Sequence, residues 1–183
     1  MIKILALLFV LFTVSNASAV DVSSSVTETR KFEHWQVTEF AGARQLMYRA
    51  SSQSIDRKPW YLAFDVTPLN GCVPLPAVLI VKYDSYVPVF NKGLLIYSYK
   101  SPNQKEATEL TKSEMSPGDR FAFFTFKALT IGWLLRSEDR GKLAMWIPAS
   151  GDGKVKQSDN VYFSLQGLSL ASKEATRLCI ENM

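Results

Sequence analysis

The chain has 183 residues, of which 47% are hydrophobic, 12% aromatic and 21% charged, with 9 Gly and 8 Pro. That composition excludes intrinsic disorder, collagen-like repeats and a mini-protein built on disulfides. Lys and Arg outnumber Asp and Glu by 21 to 17, and a single His excludes any zinc site that needs two or more.

Met1-Ile2-Lys3 supplies a positive charge, Ile4–Val14 is apolar, and Ala17-Ser18-Ala19 is a small-residue cleavage site. These are the three regions of a secretory signal covering residues 1–19. An uncleaved anchor is the alternative, but the apolar run is about half of the roughly 20 residues that cross a bilayer. No Cys follows Ala19, so a lipid anchor is not indicated, and no later run is apolar enough to span a membrane. The expected product is residues 20–183, a single periplasmic or secreted domain with no linker or repeat. Loss of Lys3 takes the formal net charge from +4 to +3. The basic residues are scattered, and with export this sets nucleic acid aside as a partner.

Residues 20–30 read as a mobile lead-in. Period-2 alternation starts at Trp35, Val37 and Glu39, and resumes over 45–50 after the turn Gly42-Ala43-Arg44, predicting a hairpin. Residues 60–67 are the clearest strand, with Trp60, Leu62, Phe64 and Val66 on one side. Pro68-Leu69-Asn70-Gly71 is a turn, and Val73-Pro74-Leu75-Pro76 is too rich in Pro for a sheet interior. Residues 77–83, 86–90 and 94–99 form β, the last two joined across Asn91-Lys92-Gly93. Residues 103–115 fit neither period well, with a short helix slightly favoured over an irregular edge. Residues 121–126 read as a strand buried on both faces, followed by strands over 131–135, 143–147 and 161–165. From Ser169, a candidate helix cap, Ala171, Ala175 and Leu178 recur at helical spacing with Lys173, Glu174 and Arg177 opposite. About nine short strands and one helix predict a mainly β fold: an antiparallel β-sandwich or barrel-like domain with one C-terminal helix.

In an exported chain, Cys72 and Cys179 most simply form one disulfide. A redox pair or metal ligation calls for closer, C-x-x-C-like spacing. Chemistry is otherwise sparse. Glu33 and His34 are adjacent on an extended chain and do not face each other. No G-x-S-x-G elbow is present, and Gly151-Asp152-Gly153 lacks the repeated ligands of a calcium loop. No catalytic, metal or cofactor site is expected, although an acidic pair assembled by folding alone would escape notice. The aromatic set Tyr83, Tyr86, Phe90, Tyr97 and Tyr99 is the candidate contact surface, with cross-strand core packing as the structural alternative.

Two segments carry a resemblance. Phe32-Glu33-His34-Trp35-Gln36-Val37 resembles the opening F-x-x-W-x-V strand of the invasion-associated locus B family of exported bacterial proteins. Phe163-Ser164-Leu165-Gln166-Gly167-Leu168, running into the helix 169–179, is similar to that family's closing strand, turn and Ala-rich helix. The chain departs from the family at Thr38 and Glu39, where a Cys is usual, and in having Cys72 alone at mid-chain. The resemblance implies a periplasmic or outer-surface β-domain without known catalysis, linked to envelope or host contact, and it supplies no site residues. Together these readings lead to an exported, non-enzymatic domain whose partner is another envelope or extracellular protein. A small-ligand or glycan-binding domain that uses the same aromatics is the alternative.

Overall fold

Alternating apolar residues separated by Gly, Pro and Asn turns favour short antiparallel strands, and the chain folds that way. A computed structural model of it describes residues 25–42, 46–56, 60–82, 92–98, 105–112, 121–126, 130–146 and 160–183. The strands are β1 (Ser25–Phe32), β2 (Trp35–Ala41), β3 (Leu46–Gln53), β4 (Trp60–Val66), β5 (Val78–Lys82), β6 (Lys92–Ser98), β7 (Lys105–Lys112), β8 (Phe121–Phe126), β9 (Lys142–Trp146) and β10 (Asn160–Ser164). Helix α1 (Ile131–Arg136) precedes β9, and helix α2 (Leu168–Glu181) follows β10. Every ladder is antiparallel, and the strands join in the order β1-β2-β3-β4-β5-β8-β7-β6-β9-β10. The protein is thus mainly β with a C-terminal helix.

The sheet rolls on itself. Strand β10 stands last in the order and β3 third, yet the Ile55 amide just past β3 donates to Tyr162 O on β10 at 2.8 Å. The Trp35 indole donates to Ser164 O at 2.9 Å. The roll encloses one continuous core running from Trp35, Tyr48 and Phe64 through Phe124 and Phe163 to Ala175 and Leu178 on α2. Helix α2 lies against β1, β2 and β3.

Several expectations are corrected. The lead-in is in part β1, because Val26, Thr27, Thr29 and Phe32 favour strand and β2 supplies a template. The polar stretch expected to be helical contains β7, whose pairing with β6 and β8 outweighs its weak pattern. The segment 131–135 is helical: Thr130 Oγ1 caps the Trp133 amide at 3.3 Å, and Ile131 and Leu134 bury the same face. An apolar run this short does not distinguish helix from strand by period alone. Lys92 and Gly93 are within β6, opposite Thr111 and Leu110, and not in a turn. Strand β8 buries Ala122, Phe124 and Phe126, while Thr125 on its other face is exposed. Helix α2 is capped at Gly167, and the carboxylate that accepts the Ser169 amide, at 3.1 and 3.2 Å, belongs to Glu138.

Candidate functional site

The best-formed surface feature among the described residues is the turn after β4. Thr67 caps a single 3-10 turn, Pro68–Asn70, accepting the Asn70 amide through both its carbonyl (3.1 Å) and its hydroxyl (3.3 Å). Gly71 and Cys72 then take left-handed backbone, at φ 63° and 59°. Glycine does so freely, but for Cys72 the conformation costs roughly 1–2 kcal/mol. Two bonds offset it: the Cys72 amide donates to Thr67 O at 3.0 Å, and the Cys72 sulfur is joined to Cys179 on α2. The Cα atoms of the pair are 5.7 Å apart across a sequence separation of 107. The Asn70 side chain closes the loop on Val73 O at 3.2 Å.

This rigid knuckle carries apolar side chains outward. Leu69 is 82% exposed and Val73 59%, and on the other side of the disulfide Ile180 is 55% exposed. Val73 and Ile180 each follow a bridged Cys in sequence. A turn of Pro, Asn and Gly would ordinarily carry polar tips. Apolar groups held out by a cross-linked backbone lose little further entropy on being covered.

A second cluster lies on the sheet face opposite the main core. Arg49 Nε and Nη2 donate to the two Asp65 oxygens at 2.7 and 2.8 Å, and both side chains are mostly buried. The guanidinium also lies over the Phe40 ring at 5.6 Å and the Phe123 ring at 5.7 Å. Strands β4 and β5 separate β3 from β8, about 14 Å of sheet at the usual spacing. The long Arg49 side chain and the Phe123 ring together reach across that gap on the outer face. With Arg49 and Asp65 neutralising each other, the arrangement is a structural clamp.

Electrostatics elsewhere are local. Arg30 on β1 and Arg177 on α2 grip Glu174, whose pKa is lowered to about 2, chiefly by the Arg177 hydrogen bond and then by that from Arg30. The Tyr48 hydroxyl is buried without a hydrogen-bond partner. Burial first, then the charges of Glu39 and Glu181, raise its pKa; the Asn182 side chain, close by but outside hydrogen-bond geometry, acts the other way. His34 is exposed in the two-residue turn between β1 and β2. Among the described residues no three His, Cys, Asp or Glu side chains are placed to hold a metal ion, and no helix is long and apolar enough to cross a membrane.

Of the residues singled out from the sequence, Cys72 and Cys179 are brought together as a disulfide. Tyr83, Tyr86, Phe90 and Tyr99 lie outside the described residues. Tyr97 is on β6, in register with Glu106 on β7 and Met145 on β9. Leu69 and Val73 went unnoticed, although apolar residues inside a Pro-Asn-Gly turn were the signal. The two segments that carry the family resemblance meet in space: Trp35 bonds Ser164 O, and Gly167 packs on the Phe32–Glu33 backbone. No family model matches the chain, and neither does any curated protein or solved structure.

Proposed function

We propose that this is an exported, non-enzymatic bacterial domain that works by contact with another envelope or extracellular protein. The observation that carries the reading is the disulfide-held knuckle, with Leu69 and Val73 presented to solvent on backbone that cannot fold them away. Exposed apolar groups at a rigid, central position are what protein interfaces use as anchors. The opening residues support export, and the resemblance at the two chain ends supports an envelope setting. A photo-crosslinking residue at Leu69, in cells that export the protein, is expected to give one discrete protein adduct. Val73→Asp should abolish that adduct and leave the thermal midpoint unchanged. If Leu69 yields no adduct while the protein is correctly exported and oxidised, the contact reading is wrong at this surface.

The contact between β10 and β3 favours a second reading, because a sheet closed on itself is either filled by side chains or holds one small ligand. Native mass spectrometry of the gently recovered protein separates the two. The contact reading predicts the mass of residues 20–183 less two hydrogens, or a stoichiometric protein complex. A small added mass would move the assignment to ligand binding.

A further inference from the structure

Because β10 meets β3, the roll covers that side of the ladder, and among the described residues β1 is left as the free edge. We propose that this edge pairs with the β1 edge of a second copy, two-fold symmetrically and in one register centred on Thr29. The proposal goes beyond the contact reading and does not depend on it.

The backbone sets which groups are available. Glu33 and His34 alone connect β1 to β2, with Glu33 at φ 53°. A two-residue connection closes on a hydrogen-bonded pair, here Phe32 with Trp35, and bonded and non-bonded pairs alternate from there. Phe32, Arg30 and Glu28 thus direct their amides and carbonyls to β2. Lys31 and Thr29 direct theirs outward, with no partner among the described residues. An antiparallel neighbour must meet these outward groups with its own, so for two copies Thr29 and Lys31 pair with Thr29, Lys31 or Thr27.

Charge then selects among the registers. A two-fold axis at Arg30 sets Arg30 against Arg30, and an axis at Glu28 or Lys31 likewise opposes two like charges. Like charges directly opposite each other destabilise a ladder. An axis at Thr29 places a neutral side chain opposite itself and brings the Glu28–Arg30 ion pair of each strand, 2.8 Å within one copy, against the reversed pair of the other. In that register Thr27 falls opposite Lys31. Thr27 is the residue that the bulge between Val26 and Glu28 leaves without a partner on β2, so the ladder between copies ends at that pair. Bulges and charges usually keep an edge from pairing at all. Here the charges alternate in sign about Thr29, so they block the neighbouring registers and permit this one. Exposed ion pairs add little affinity themselves, so the main-chain bonds supply it and the charges choose the register.

Sedimentation equilibrium of the full exported chain, oxidised, tests the association, and single cysteines test the register. Paired residues of a hydrogen-bonded antiparallel site have Cα atoms about 5.5 Å apart, within disulfide range. The protein should sediment as a monomer–dimer equilibrium. Thr29→Cys should oxidise to a covalent dimer linked 29 to 29, with Cys72–Cys179 intact. Thr27→Cys and Lys31→Cys should each stay monomeric when oxidised alone and cross-link when mixed. Glu28→Arg, which sets an arginine opposite Arg30 of the other copy and leaves the Arg30–Glu174 pair in place, should weaken dimerisation about tenfold. A wild type that remains monomeric at about 0.1 mM overturns the proposal. So does a dimer that Thr29→Cys fails to capture, or one that Glu28→Arg leaves unweakened.

Discussion

Gly167 joins the two ends of the chain. Its φ is 88°, and a Cβ built there would sit 2.1 Å from Phe32 O, closer than any side chain tolerates. Gly167→Ala is therefore expected to cost about 3 kcal/mol or more, measured by urea denaturation. A cost near zero would mean that the β1–β2 turn moves aside. Arg49 and Asp65 make a different argument. Removing one partner strands a mostly buried charge, so Arg49→Ala or Asp65→Ala should each cost about 3 kcal/mol. The apolar pair Arg49→Met with Asp65→Leu should cost less than the two single losses combined, and strict additivity would show that the clamp is not coupled. Glu174 predicts a pH effect. Its pKa falls from 4.5 in the unfolded chain to about 2 in the fold, so its contribution is complete above 4.5 and is lost as pH falls toward 2. The stability advantage of wild type over Glu174→Gln should disappear across that window, and a pH-independent difference would contradict the assignment.

At the scale of elements, α2 is held at both ends by groups distant in sequence. Its first turn receives the Glu138 carboxylate on the Ser169 amide, and its last turn is tied by Cys179 to Cys72. Glu138→Ala should lower stability by about 1 kcal/mol, whereas Ser169→Ala should be nearly neutral because Ser169 contributes its backbone there. Equal losses would reverse the cap assignment. Replacing Cys72 and Cys179 together by Ala reopens a loop of roughly a hundred residues and is expected to cost about 4–5 kcal/mol. Hydrogen exchange should then rise first in the last turn of α2. Protection unchanged in that turn would show that its packing alone, through Leu178, is enough.

At the scale of the whole molecule, the buried residues of β2 through β5, β8 through β10 and both helices belong to one core. Unfolding should therefore be a single transition, with near-ultraviolet and far-ultraviolet circular dichroism reporting the same midpoint. Two separated midpoints would divide the chain into independent units. Folding should be slow for its length, in milliseconds to seconds, because contacts such as Trp35 with Ser164 close most of the chain.

The strands with a clean period, β2 to β5 and β9 to β10, were legible in the sequence because alternate burial is a local property that side chains record directly. So was the face of α2 that carries Ala171, Ala175 and Leu178, and so was the pairing of Cys72 with Cys179, the two Cys of the chain. Strand β7 and helix α1 were not legible. One depends on the neighbours that flank it and the other on a single Thr cap, and neither leaves a period in a short segment. The Arg49 clamp and, among the described residues, the free edge at β1 are decided only by the tertiary fold. Each depends on which distant strands the roll brings together and which edge it leaves uncovered, and long-range pairing of that kind leaves no mark on local residue order.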